Sequence, residues 1–462
     1  MALGDTRRAP FQKLDGSSEA LGLDLDVTNL KINLDLGSVV VTSSTSIAKS
    51  DTLQDRDVGL FFGPLLGVDD IPLFLTDSTK VDSFSQELRL NTQLNGAWQF
   101  LAGVFYQDSD RDLRQDFLFE GDPLADPFGG LLLFETTLKE NVEQLAFFGE
   151  VSLDLTETLT AVAGIRHYDY DKSSDEIADG LFNGGVSTNS LDNDDSGETF
   201  KFGLTYDPNE STTLYGTFSQ GFRLGGPHPF IPSDVCDLDG DSLIDGVGEP
   251  VPDQIASDEL DSYELGAKFI LADGRATLNV AAYQIEWDGI PVPQTADCGF
   301  VVTLNAGEAE SRGIEIEGQI LLSETWSMNY GLSYVDAELT DDAPGLGNSG
   351  DRLPGSPEFQ ASLGIEAGFN VMGRPAFVRA DVAHLGEYFN NLEETGPNAG
   401  DYTIVNVIAG ADVTDLISIN LFVRNLTNKE GLSWIETEIG DGRANFVRPR
   451  TVGIELRARF GD

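Results

Sequence analysis

An all-β chain, folded as an antiparallel transmembrane β-barrel, is the fold class this sequence predicts, and three observations predict it. Stretches of about ten residues alternate apolar and polar side chains, as strands with one oily face do. Tight polar turns and long acidic, glycine-rich loops take strict turns between them. No run of about 18 uncharged apolar residues exists, which excludes a helical span. The pattern is clearest near the end, where Ile417, Ile419, Leu421 and Val423 share one face and Ser418, Asn420, Phe422 and Arg424 the other. Val452, Ile454, Leu456, Ala458 and Phe460 repeat it, as do Phe84, Gln86, Leu88 and Leu90 against Ser85, Glu87, Arg89 and Asn91. A tilted crossing takes roughly 9 to 11 residues, and a closed sheet leaves no backbone group unpaired in lipid.

In chain order, strands are expected over 20–36, 38–48, 81–93, 97–108, 141–155, 158–171, 196–207 and 211–224. The series continues over 258–271, 275–288, 308–320, 325–338, 357–369, 374–388, 401–413, 417–429 and 449–460. Leu94-Asn95-Gly96, Thr156-Glu157-Thr158, Pro208-Asn209-Glu210, Ala272-Asp273-Gly274 and Thr414-Asp415 supply the short turns, which place that side in the periplasm and the long loops outside. Tyr106, Tyr168, Tyr170, Trp287, Tyr334 and Tyr388 fall near the long-loop ends, where amphipathic rings suit the interface. In the first strand the apolar phase slips between Leu21, Leu23, Leu25, Val27 and Leu30, Ile32, Leu34, Leu36, which reads as a bulge or as two strands joined at Thr28-Asn29, the bulge being favoured. With about 17 strands, the first and last run in the same direction, so closure on each other would need a parallel seam and an odd number of strands is expected to be lacking.

Composition bounds the function. The formal charge is −50, from 28 basic and 78 acidic residues, which repels nucleic acid and anionic lipid. Met1–Pro10 has no apolar core and is not a signal peptide. Residues 1–19 therefore read as a disordered or truncated N-terminal segment and 20–462 as one partial barrel domain.

Several stretches, taken in order, resemble one known family: FSQELRL (84–90), WQFLAGVFY (98–106), AFFG (146–149) and AGIR (163–166), then LYGTFSQGFRLGG (214–226) and ELDSYELGAK (259–268). NAGEAESRGIEIE (305–317), RLPGSPE (352–358), VRNLTNK (423–429) and PRTVGIELRARF (449–460) complete the series. It is similar to the barrel of TonB-dependent outer-membrane receptors. The resemblance implies a barrel of 22 strands, of which about 16–18 are present, and a non-enzymatic receptor in the outer membrane of a Gram-negative cell. It also implies a plug domain, absent here, through which the TonB system drives import of a ferric siderophore or another scarce nutrient. Barrel-assembly machinery would read the terminal aromatic Phe460, which Gly461 and Asp462 follow. A barrel without its plug would leak or sit inert.

Candidate sites follow from side-chain chemistry. Asp237, Asp239, Asp241 and Asp245 stand at positions one, three, five and nine of a calcium-loop pattern, although Ser242 replaces its glycine and Gly248 its bidentate acid. The alternative is an acidic solvated loop; no other cofactor is indicated. Cys236 and Cys298 lie in successive outward loops and suit a disulfide, two free thiols being the alternative. Arg89, Arg166, Lys201, Arg223, Lys268 and Arg424 would face the lumen, where they meet an anionic ferric chelate or pair with Glu87, Glu150, Glu264 and Glu315, and Phe222 offers a stacking ring. Gly240-Asp241-Ser242-Leu243 lacks an esterase elbow, and the GLGNSG at 345–350 opens no helix. His167, His228 and His384 have no zinc spacing, and the loop after Arg223 departs from haem-receptor boxes. Two other readings share some of these features: a secreted calcium-binding acidic β-repeat adhesion protein, and a passive porin-like channel.

Overall fold

The computed structural model describes residues 20–59, 62–63, 73–118, 132–228, 230–252, 254–305, 307–343, 347–392, 394, 398–435 and 444–459. The chain opens with six long strands: β1 (Leu21–Asp35), β2 (Val39–Asp57), β3 (Phe74–Thr92), β4 (Trp98–Leu118), β5 (Leu132–Asp154) and β6 (Leu159–Asp179). Next come β7 (Ser187–Asn209), β8 (Thr212–Arg223), β9 (Gly226–Pro227), the one-turn helix α1 (Ser233–Cys236), β10 (Gln254–Ile255), β11 (Asp258–Leu271), β12 (Ala276–Asp288), β13 (Pro291–Thr295) and β14 (Val301–Asn305). The remainder is β15 (Glu308–Leu321), β16 (Trp326–Leu339), β17 (Phe359–Val371), β18 (Arg374–Leu385), β19 (Tyr402–Asp412), β20 (Ile417–Arg424), β21 (Leu432–Ile435), β22 (Ala444–Phe446) and β23 (Thr451–Ala458). Seventeen of these form one sheet, and β9–β10, β13–β14 and β21–β22 make small ribbons in the long connections. No helix among the described residues is long and apolar enough to cross a membrane.

Every neighbouring pair in the large sheet is antiparallel, and the registers carry one apolar face around the wall without a break in parity. Leu34 lies opposite Val41, Val41 opposite Leu90, Leu90 opposite Ala102, Ala102 opposite Gly149, and Gly149 opposite Ile165. Further round, Leu204, Gly216, Leu265, Ala282, Ile314, Tyr334 and Phe359 form one such row. Val407, Val423 and Val452 carry the face to the final strand. Directly opposed residues share a face, so these rows form a lipid-compatible belt, and the intervening residues face the lumen. This is a transmembrane β-barrel wall. Among the described residues β1 pairs with β2 alone and β23 with β20 alone, and both run toward the short-turn end.

The structure differs from the sequence reading at three places. First, β1 pairs with β2 from Leu21↔Gln54 to Asp35↔Val40 without a register shift, so the expected bulge is absent. Leu30, Ile32 and Leu34 face out while Leu21, Leu23, Leu25 and Val27 face the interior side. Second, β2 to β7 run 19 to 23 residues, well beyond one crossing. Their outer halves looked like loops because the outward positions there are charged, yet they continue the ladder above the belt. Third, Tyr106 and Tyr334 face out near the top of the belt, but Tyr168, Tyr170 and Trp287 have the opposite parity and turn inward. Tyr168 and Tyr170 are buried against Ala146, and the Tyr388 hydroxyl donates to the Ser433 carbonyl at 2.6 Å.

Candidate functional site

Above the belt the tall strands enclose an apolar chamber of about 280 Å³. Phe62, Phe117, Phe134, Phe182, Phe230 and Phe300 line it, drawn from β4, β5 and the segments that lean on them. The rings interlock: Phe62 and Phe117 have centroids 4.8 Å apart, and Phe134 meets Phe300 edge-on at 5.2 Å. Such pairs contribute about 0.5–1.5 kcal/mol each beyond their buried area, so the chamber keeps its shape.

Two ionisable groups enter this apolar space. Arg56 donates through Nη2 to Asp77 Oδ2 at 2.7 Å, and its Nε is buried with no hydrogen-bond partner among the described residues. Glu176 is buried; it accepts from Thr136 Oγ1 at 2.9 Å and from the Phe230 N–H at 3.0 Å. Burial holds its carboxyl above the ordinary range, against the pull of those two hydrogen bonds.

The basic residues of the lumen take two kinds of partner. Arg89 pairs with Glu87 at 2.7 Å and Lys201 with Glu150 at 2.9 Å. The latter pair reaches across β6 at Gly164, which lies opposite both residues and has no side chain in the way. Arg223 grips Asp258 through Nε at 2.8 Å and lies 4.8 Å from the centre of the Trp287 ring, whose Nε1 donates to the same carboxylate at 2.8 Å. Arg166 sits over Phe105 at 5.4 Å and near Phe148 at 6.0 Å, Lys268 over Tyr215 at 5.5 Å, and Arg424 over Phe422 at 5.1 Å. Gly103 is required where it stands, since any β-carbon there would run into the Phe148 ring and the Leu88 carbonyl. Phe222 is stacked flat on Tyr168, centroids 3.5 Å apart.

In the loop after β8, Cys236 and Cys298 are joined in a disulfide between α1 and the turn of the β13–β14 ribbon. Cys236 is fully buried among Ile231, Ile244, Val247, Ala296 and Val302, a small core that holds the two loops together. Beside it the oxygens of Asp237, Asp239 and Asp241 come within 4.8 Å of one another, and Asp245 accepts from the Leu238 N–H at 2.9 Å. Asp237 accepts from the N–H groups of Gly240, Asp241 and Ser242. The Asp239 carboxyl lies above its ordinary value: a hydrogen bond from the Asp241 N–H lowers it, and repulsion by Asp241, Asp245 and Asp237 together with partial desolvation outweighs that. His228 is buried and accepts at Nε2 from the Thr303 N–H at 2.8 Å, a structural position in the same loop layer. Phe460 and residues 1–19 lie outside the described residues. The chamber is what sequence reading missed, since its rings are scattered along the chain with no shared period.

A family model for the TonB dependent receptor-like β-barrel matches residues 3–426. The chain belongs to the TonB-dependent receptor family. Among curated relatives it is 22% identical to the pesticin receptor of Yersinia enterocolitica over 322 residues, covering 69% of this chain and 44% of that protein. It is 24% identical to the metal-pseudopaline receptor CntO of Pseudomonas aeruginosa, covering 63% of this chain and 37% of that protein. The chain thus spans less than half the length of these relatives. In fold it is similar to the ferric yersiniabactin uptake receptor FyuA from Yersinia pestis, with a TM-score of 0.81, 18% identity, and 97% of this chain and 63% of the other covered. The siderophore receptor PiuA from Acinetobacter baumannii superposes with a TM-score of 0.72 at 16% identity, over 94% of this chain and 64% of that one. All four are receptors rather than enzymes, and the family together with the continuous outward belt overturns the secreted-adhesin reading.

Proposed function

We propose that this chain forms the strand wall of an outer-membrane receptor that imports a scarce nutrient, with a ferric siderophore as its cargo and the TonB system as its source of energy. The observation that carries the reading is the phenylalanine chamber at the outer mouth, a space suited to flat organic groups with Arg56 and Gln115 at its edge. Beneath it lies a lumen lined by polar and charged groups, the route a hydrated chelate needs. Relatives described as receptors for a metal chelate and for a ferric siderophore add support. The remaining partners of this reading are a plug in the lumen, barrel-assembly machinery for insertion, and outer-membrane lipid around the belt.

Uptake of radioiron by cells carrying the gene, compared with a deletion strain under iron limitation, tests the proposal. Saturable uptake that ends when the TonB system is removed supports it. Conductance in planar bilayers without any chelate capture favours the passive-channel reading instead.

A further inference from the structure

The charge of the mouth narrows the cargo class, an inference that rests on the uptake reading above. From Leu224 to Ala267 the chain carries eleven Asp and Glu and no Lys or Arg, and no Lys or Arg occurs between Ala276 and Ser311. The topology places most of these residues in the long connections and strand tops around the opening. The neighbouring strands β6 and β7 add Asp195 on the lumen side, whose carboxylate accepts from Ser257 Oγ at 3.2 Å, and Asp169, Asp171, Asp175, Asp192 and Asp194 on their outward face. The inward basic groups at this level, Arg56, Arg111 and Lys172, are paired with Asp77 or Glu140, so the excess of acidic residues sets the sign of the field at the opening, which walls of low dielectric focus on whatever enters.

The basic side chains that sequence reading offered to an anionic chelate do not offset this field. Arg89, Lys201 and Arg223 are each held by a carboxylate, and Arg166, Lys268 and Arg424 lie over aromatic rings inside the lumen, below the mouth. In the chamber itself Arg56 is neutralised by Asp77, and the second ionisable group, Glu176, is an acid. What remains for a guest is a set of aromatic faces with a few hydrogen-bonding side chains, Arg56, Gln115 and Thr136 among them, recognition suited to a neutral carbonyl or hydroxamate oxygen.

We propose that this mouth admits uncharged or cationic metal chelates and discriminates against polyanionic ones. The test uses outer-membrane vesicles carrying the receptor and three radioiron-loaded probes: the cationic linear trihydroxamate ferrioxamine B, a neutral cyclic ferric trihydroxamate, and a polyanionic ferric tris-catecholate. At low ionic strength the cationic or the neutral probe should bind about ten-fold or more tightly than the polyanion. That ratio should shrink as salt approaches about 1 M, where the screening length falls to about 3 Å. Tightest capture of the polyanion at low salt, or a ratio insensitive to salt, overturns the charge proposal while leaving the uptake reading intact. Absence of saturable capture for all three probes overturns the uptake reading and the charge proposal with it.

Discussion

Leu265 and Leu271 test the lipid belt within a single strand. Both lie on the outward face of β11, Leu265 at 71% exposure between Gly216 and Ala282, Leu271 at 45% exposure opposite Ala276 beside the short turn. The six positions between them, at about 3.3 Å each along a strand tilted by about 40°, separate them by about 15 Å in depth. In a belt about 25 Å tall that puts Leu265 near the midplane and Leu271 at the inner interface. Arginine costs about 2–4 kcal/mol at the first depth and about 0–1 kcal/mol at the second. At about 1.4 kcal/mol per factor of ten, Leu265→Arg should lower the folding equilibrium about 30- to 1,000-fold and Leu271→Arg by about five-fold at most. Urea titration in lipid vesicles, read by heat-modifiable gel mobility, measures both, with Leu265→Ala controlling for lost side-chain volume. Equal costs refute the belt: two small ones place the face in water, and two large ones place it in a dry protein interior.

Replacing Cys236 and Cys298 by serine should cost about 2–4 kcal/mol of local stability, seen as faster protease cleavage between Ile231 and Val302 while the wall keeps its gel mobility. Glu176 titrates above its unfolded value near 4.5, so the folded state holds the proton more tightly; stability of the outer strands should fall as pH rises from that value through the raised one. Glu176→Gln should flatten this profile in hydrogen-exchange measurements, and an unchanged slope assigns it to another group. The mutual repulsion around Asp239 means that, if the aspartate loop takes calcium, millimolar calcium protects residues 237–245 from protease and Asp239→Asn weakens the protection; equal cleavage with calcium and with chelator removes calcium from the account.

Strand parity was the most legible part of the fold, because a residue's face in a barrel depends only on odd or even position. The same rule shows where reading by strand end alone went astray. Tyr168 and Tyr170 lie three and five residues beyond Ile165, and these odd separations put them on the other face and turn their rings inward. The outer halves of β3 to β7 were illegible for a different reason. Apolar alternation marks a strand only where lipid or core demands it, and above the bilayer the backbone ladder persists with Asp, Ser and Thr on its outward side. The chamber required the fold itself, since Phe62, Phe134, Phe230 and Phe300 meet only after distant segments are brought over the same opening. Pairs along the wall such as Lys201 with Glu150, one strand apart, depend on register through an intervening glycine, which no local pattern displays.

The face switch in β1 locates the outer boundary of the bilayer. Moving up β1 from the short turn, the outward residues are Leu34, Ile32, Leu30 and Thr28, and then Asp26 and Asp24. In register with Asp26 the row continues through Lys49, Asp82 and Asp110 on β2, β3 and β4, and Lys49 and Asp82 form an exposed ion pair at 2.6 Å. Charges facing hydrocarbon cost several kcal/mol, so this row stands in water and the hydrocarbon ends just below it. Above that line lipid makes no demand on the outward face, and Leu21, Leu23, Leu25 and Val27 face the interior side instead. A strand that leaves the membrane without breaking its ladder shows just such a slip of apolar phase, which makes a bulge unnecessary. The intact ladder also keeps β1 pointing the same way as β23 along its whole length, so among the described residues these two end strands could meet each other only in parallel.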